Sequence, residues 1–309
     1  MDALAVVIEE PERLAVRRVD LTSPTERDVV VSVDWSGISS GTERLLWTGQ
    51  MPPFPGMGYP LVPGYESVGR IVRPSGDRQE GELVFVPGSR GFRDIKGLFG
   101  GAASQLVVDR DRVVPLDDAM GEQGTLLALA ATARHAVVRA GRMPELIIGH
   151  GVLGRLVARW VVSQGGEPIV WEKEPVRREG ARGYEVSEPG KGLHGPIHCA
   201  IDVSGHDSII DELVPQLAPR GTIVLAGFYG ARTSFAFPAA FMREIELRIA
   251  AEWRPEDLPD VMDALREGRL ELDDLITHRA SVPEASAAYR TAFSDPACLK
   301  MLLDWRKSP

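Results

Sequence analysis

Pro144-Glu145-Leu146-Ile147-Ile148-Gly149-His150-Gly151-Val152-Leu153-Gly154 opens the stretch that decides the fold of this chain. An amphipathic run over residues 155–164 follows, then Gly165-Gly166, an apolar Pro168-Ile169-Val170-Trp171, and an acid, Glu172. Strand, G-x-G-x-x-G, helix, strand and carboxylate is the order that a dinucleotide site requires. Gly149 serves the tight turn, Gly151 lets backbone approach a pyrophosphate, and Gly154 lets helix and strand pack closely. His150, Val152 and Leu153 fill the turn's remaining positions, and His150 is a candidate partner for phosphate. The phosphates would rest on the unpaired N–H groups that begin the helix. Glu172 lies 18 positions beyond Gly154, near the separation of about 20 expected of an acid that accepts from ribose hydroxyls. Such an acid repels a 2′-phosphate, so the expected cofactor is NAD. Lys173, Arg177 and Arg178 come next in the chain and act in the opposite sense.

Beyond this unit, strands and helices keep alternating. Residues 197–203, 222–226 and 245–253 read as strands, and 208–217 and 255–267 as helices, the last with proline in its first turn. The alternation predicts a doubly wound parallel sheet. Asp202, Ser204 and Gly205, with Gly227 and Phe228, end two of its strands at the carboxyl edge, where ligands of open α/β sheets bind. The segment 245–253 is expected at the sheet's edge, where it could pair across a homodimer.

The first third is mostly β, with strands expected at 3–8, 13–19, 29–38, 67–72, 82–87 and 104–108. Between them, Met51-Pro52-Pro53-Phe54-Pro55-Gly56-Met57-Gly58-Tyr59-Pro60 cannot be helix, because proline lacks the N–H and clashes with the preceding turn. A long loop inside a compact domain is more often functional than ornamental. Residues 87–101 form a second Gly-rich loop. An Ala/Leu-rich helix over 121–140 joins the β-rich part to the nucleotide unit. From about 269 onward come a short extended piece, a helix over 283–293 and a closing strand over 300–304. The expected domains are 1–121, 122–268 for the dinucleotide, and 269–309 returning to the first.

Apolar residues make up 44% of the 309 and charged residues 26%, as in a globular enzyme. The net charge of −9, with Lys and Arg scattered, argues against nucleic acid and against anionic membrane surfaces. No apolar run approaches the roughly 18 residues of a transmembrane segment. Cys199 and Cys298 form no C-x-x-C, which argues against a disulfide framework or zinc cluster. The acidic N-terminus does not read as a signal peptide, so the expected location is cytoplasmic.

A β-rich first third, a joining helix, a Rossmann unit and a short return resemble the medium-chain dehydrogenases/reductases. The local phrases agree. Gly64-Tyr65-Glu66-Ser67-Val68-Gly69 is similar to that superfamily's G-H-E-x-x-G, and Gly37-Ile38-Ser39-Ser40-Gly41-Thr42-Glu43 to its G-I-C-G-T-D. The C-terminal Asp273 to His278 with Ala287-Ala288-Tyr289 also matches, so the resemblance covers essentially the whole chain. It implies an α/β chain with a Rossmann doubly wound parallel sheet domain and a β-rich GroES-like catalytic domain. In zinc members the Cys and His of those phrases bind the metal. Here Ser40 (or Ser39) and Tyr65 stand there, and the four-Cys lobe is missing. Zinc needs three or four Cys, His or carboxylate ligands, so the expectation is no metal. Residues 36–66 resemble one family in particular, the bacteriochlorophyllide a dehydrogenases. That resemblance implies NAD-dependent oxidation of the 3-(1-hydroxyethyl) group of a (bacterio)chlorophyllide to 3-acetyl.

Oxidising a secondary alcohol needs a hydride acceptor and a group to take the hydroxyl proton. Ser39, Ser40, Thr42, Tyr65 and Glu66 fall where the zinc members carry their metal, and Tyr65 is expected to meet the hydroxyl directly, with Glu66 or Thr42 completing a relay. A macrocycle needs a wide apolar cleft, and Trp47, Phe54, Met57, Tyr59, Phe92 and Phe99 on the two loops are expected to wall it. Lys96 could pair with a propionate. Two other readings compete: a zinc-free quinone or enoyl reductase using NADPH, and a non-catalytic pigment carrier.

Overall fold

Leu146–Ile148, the short strand before the glycine turn, lies at the centre of a six-stranded parallel sheet. Across that sheet the strands run Glu185–Ser187, Ile169–Trp171, Leu146–Ile148, Ile197–Asp202, Leu217–Leu225 and Glu246–Ile249. In chain order this is third, second, first, fourth, fifth, sixth, the Rossmann order, and the crevice falls where the order reverses beside the first strand. The structure, a computed structural model, describes residues 1–53, 55–229 and 232–307. These divide into two units, Met1–Leu127 with Leu275–Pro309, and Ala128–Asp274.

Local chemistry alters two of the expected strands and adds one that was not expected. The helix expected over 208–217 stops at Gln216, and the strand expected at 222–226 already begins at Leu217 and runs through Pro219-Arg220-Gly221. Leu217 pairs with Ile197, the chain bulges, and pairing resumes at Thr222 with Cys199. Arg220 takes a positive φ of 61° in the bulge, which absorbs the proline within one strand. The last strand is shorter than expected: it ends at Ile249, and Glu252 already has a left-handed φ of 53°. Residues 172–184 carry one turn of 3-10 helix, Pro175–Arg177, before the unexpected strand Glu185–Ser187. Gly180 and Gly183, both at φ 78°, keep that connection from coiling further.

In the other unit, Asp28–Ile38 is the longest strand and organises a mixed sheet. Lys300–Asp304 lies antiparallel on one side of it, Ser67–Arg73 and Gln105–Asp109 pair with it elsewhere, and Ile276–Ser281 lies parallel beyond Lys300–Asp304. The long strand is buried on both faces near its two ends, over residues 29–31 and 36–38. Asp2–Glu10 leads a smaller sheet through Leu61–Val62 to Lys96–Gly97. The two loops of the sequence reading therefore meet: Leu61 bridges Lys96, and the Lys96 N–H donates to Pro60 O at 3.1 Å. The helix expected over 121–140 begins only at Leu127, because Asp118–Leu126 is 3-10 and broken at Gly121. A helix that the sequence did not announce, Thr42–Thr48, follows the long strand and is capped by Gly49 in the left-handed region. Among the described residues, no helix is long and apolar enough to cross a membrane.

Candidate active site

The glycine turn takes the form its spacing demands. Gly149 sits at φ 99°, and its N–H reaches Trp171 O at 2.8 Å. A Cβ on Gly154 would stand 1.8 Å from Gly149 O, so only glycine fits. Gly151 differs: a Cβ there meets nothing within 4 Å. Local packing does not require that glycine, whereas close approach of a phosphate to the backbone would. Gly151 caps the helix Val152–Ser163 without a side-chain hydrogen bond, leaving its first N–H groups for an anion. The residues present therefore fit a dinucleotide.

His150 and Glu172 do not sit as expected. His150 is buried, with Nδ1 2.5 Å from Arg177 O and Nε2 2.8 Å from Tyr184 Oη. A carbonyl can only accept, so Nδ1 carries the hydrogen and Nε2 accepts from the phenol. Burial lowers this imidazole to about 4 and keeps it neutral. Its ring thus ties down the segment after the second strand and has no nitrogen left for phosphate. Arg155 reinforces that tie by donating to the carbonyls of His150, Arg177, Glu179 and Gly180. Glu172 is 5% exposed and accepts the His150 and Glu174 N–H groups, both at 2.8 Å. Its carboxylate braces the glycine turn, a role that spacing alone does not reveal.

Arg178 donates to Glu172 O, Lys173 O and Glu188 Oε1. Its guanidinium is spent on the end of the second strand, while Lys173 is exposed. At the fourth strand, buried Asp202 accepts from the Ser204 hydroxyl at 2.6 Å and from the Tyr229 hydroxyl. Burial raises Asp202 above the usual carboxylate range despite these donors. A Cβ on Gly205 would stand 2.7 Å from Phe228 O, so the two strand-end loops touch backbone to backbone. Phe228 itself is exposed.

In the β-rich unit the residues expected to be catalytic separate into two groups. The Tyr65 hydroxyl donates to Ser39 Oγ at 2.6 Å, and the Tyr65 ring meets Phe99 edge-on at 5.0 Å. Burial, and then the Glu66 charge, push the phenol above its ordinary value, while the Ser39 and Thr42 hydroxyls pull it back. Glu66, expected to relay with Tyr65, instead forms a buried pair with Lys300 at 2.6 Å. Its other oxygen has no hydrogen-bond partner among the described residues. The sheet register explains the pair. Gly37 N–H donates to Glu66 O, and Met301 lies opposite Ile38, so the neighbouring Lys300 faces Glu66 across the long strand. A Cβ on Gly37 would fall 2.2 Å from Glu66 Oε2.

Glu43 lies in the same buried cluster, accepting from Ser39 N–H at 3.1 Å and from the Tyr289 hydroxyl at 2.8 Å. Burial, reinforced by the Glu66 charge, pushes its carboxyl up to about 8. Glu43, Lys300 and Tyr289 were not singled out as catalytic in the sequence, whereas Ser39 was named at the metal position. Only the matched G-I-C-G-T-D phrase and the Tyr289 signature hinted that these segments belong together. Ser40 is exposed, and Thr42 opens the short helix. Hydroxyls, a phenol and a lysine-paired carboxylate are a poor donor set for zinc, and among the described residues no three His, Cys, Asp or Glu are arranged to hold a metal ion.

The expected aromatic wall is partly dismantled. Phe92 is 7% exposed and belongs to the hydrophobic core of this unit, so it lines no surface. Trp47 rests against the Phe293 ring, and the Tyr59 hydroxyl is bound to Leu46 O. Met57, Tyr59 and Phe99 are half-buried around Leu46, Leu61 and Leu98. Phe54 lies outside the described residues.

The chain matches no protein-family profile. It is 50% identical over 311 residues to 2-desacetyl-2-hydroxyethyl bacteriochlorophyllide A dehydrogenase of Rhodobacter capsulatus, covering 99% of each chain. Among solved structures it is similar to the short chain alcohol dehydrogenase rspB of Escherichia coli CFT073 complexed with NADH. That match has a TM-score of 0.82 at 22% identity and covers 98% of this chain and 99% of that one. A dehydrogenase from Sinorhizobium meliloti 1021 bound to NADP gives a TM-score of 0.80 at 20% identity, covering 98% and 99%. These two likenesses give the medium-chain dehydrogenase/reductase fold.

Proposed function

The chain belongs to the family of 2-desacetyl-2-hydroxyethyl bacteriochlorophyllide a dehydrogenases, and on that premise we propose that it works with NAD and without zinc. The reaction is oxidation of the hydroxyethyl substituent to acetyl in bacteriochlorophyll a synthesis. The observation that carries this reading is the end-to-end identity of half the chain with a relative of that activity.

Oxidation removes a hydride from the carbinol carbon and a proton from its hydroxyl. A bound nicotinamide supplies the hydride acceptor. Gly149, Gly151 and Gly154 would hold its pyrophosphate on the helix N-terminus, with the ends of the fourth and fifth strands alongside. Two features support NAD over NADP: the Glu172 charge beside the turn, and an Arg178 whose guanidinium is already committed to three acceptors. Tyr65 is our candidate for the group that meets the substrate hydroxyl, with Thr42 beside it and Glu66 acting as a buried charge behind. Trp47, Phe54, Met57, Tyr59 and Phe99 remain the candidate apolar wall for the macrocycle.

We place a homodimer contact on the sheet edge Glu246–Ile249 and the helix Phe237–Met242. Phe237, Phe241, Met242, Leu247 and Ile249 are all exposed there. The expected location is cytoplasmic.

The test is NADH formation from hydroxyethyl bacteriochlorophyllide a by enzyme dialysed against a chelator, run in parallel with NADP. Full activity with NAD and at least about tenfold lower kcat/KM with NADP are expected, since the Glu172 charge beside the turn repels a 2′-phosphate. Activity lost to the chelator and restored by zinc would overturn the metal-free reading. Equal kcat/KM with both cofactors would overturn the NAD assignment.

A further inference from the structure

A phenol has one hydrogen to donate and two lone pairs with which to accept. In Tyr65 that hydrogen is committed, because it points at Ser39 Oγ across 2.6 Å. Ser39 is buried on a backbone that is itself held. It is 6% exposed, and its backbone N–H is fixed to Glu43 Oε1 at 3.1 Å. Glu43 is in turn fully buried and held by the Tyr289 hydroxyl at 2.8 Å. Behind them Glu66 and Lys300 close the cluster with a pair buried on both sides. The half-buried Tyr65 ring is steadied by Phe99. Ser40, the adjacent serine, is exposed and takes no part in this chain of bonds.

We propose that Ser39 is a positioning residue of the dehydrogenation: by taking the hydrogen of Tyr65 it leaves the phenol oxygen as an acceptor. That polarity suits an alcohol substrate, whose hydroxyl arrives as a donor. A ketone product can only accept, so it loses this partner and leaves. Without Ser39 only the Thr42 hydroxyl is left beside the phenol, and its hydrogen can rotate outward to meet the alcohol with the wrong end. Glu43 and Tyr289 act one bond further back, by holding the backbone that carries Ser39. The proposal rests on Tyr65 being the residue that meets the substrate hydroxyl.

The test is a double-mutant cycle on Ser39→Ala and Tyr65→Phe in the full chain, with kcat and pigment KM measured and folding checked by near-UV circular dichroism. Tyr65→Phe is expected to lower kcat about 100-fold, the scale of a positioned acid–base group. Ser39→Ala is expected to lower kcat about tenfold with KM within twofold, a loss confined to the transition state. In the Tyr65→Phe background, Ser39→Ala should change kcat less than twofold, because its partner is already gone. Multiplying effects in the double variant would overturn the proposal by showing that Ser39 acts on something else. Wild-type kcat in Ser39→Ala beside an impaired Tyr65→Phe would overturn it while leaving Tyr65 in place. Wild-type kcat in Tyr65→Phe would overturn both claims at once. If Ser39→Ala fails to fold, Ser39→Gly removes the same oxygen and is read by the same criteria.

Discussion

Glu43 shows how an acid that reads only as the end of a family phrase becomes a buried titrating group. Its carboxyl, raised by burial to about 8, holds a proton that the unfolded chain releases near the ordinary carboxyl value. Its contribution to stability is therefore complete below that value and is lost as pH rises toward 8. Glu43→Gln carries no such proton, so calorimetric Tm curves for the two proteins should diverge between about pH 5 and 8, with wild type falling by a few degrees relative to the variant. Parallel curves would reject this account. His150 has the opposite sign. Its lowered value, about 4, gives stability that is present above the ordinary imidazole value and lost as pH falls through that window. For Glu66 and Lys300, losing either partner strands a buried charge, so Lys300→Met should destabilise its unit by about 3–5 kcal/mol in denaturant melts. An unchanged melt would mean that water reaches Glu66. None of these values was legible in the sequence, because burial and partners set them.

At the scale of the element, the glycine turn was the most legible part of the chain, and its three glycines now divide by cause. Gly154 is dictated by packing, since a Cβ would overlap Gly149 O. Gly154→Ala should therefore destabilise its unit by more than about 2 kcal/mol. Gly151 has an ordinary φ of −72° and open space where a Cβ would go. Gly151→Ala should leave the unfolding midpoint within about 0.5 kcal/mol of wild type and weaken NAD binding at least about tenfold by calorimetric titration, because it blocks backbone approach to phosphate. Normal NAD affinity in that variant would count against the turn as the cofactor site. Strand and helix were readable here because each residue's local preference agreed with its place in the fold. The helix Thr42–Thr48 was not, being too short to show a period. Nor was the strand that continues through Pro219, since only a neighbouring strand can hold a bulge in register.

For the whole molecule, the sheet's last strand leaves one side unpaired among the described residues, and exposed apolar side chains gather beside it. An edge of that kind either pairs or is covered. Wild type is expected at twice the chain mass in light scattering, and Ile249→Asp with Phe241→Asp at the mass of one chain. A wild-type mass of one chain would remove the dimer proposal. The sequence by itself determined what depends on neighbours along the chain: the glycine turn and its helix, the alternation that makes a parallel sheet, and the family phrases around Ser39 and Tyr65. Only the tertiary structure decided which distant groups meet. Lys300 faces Glu66 across 234 positions, Tyr289 reaches Glu43 across 246, and the Glu172 carboxylate turns to brace the glycine loop. The physical reason is that a side chain's charge state and hydrogen-bond partner depend on desolvation and on sheet register, and both exist only once the strands have paired.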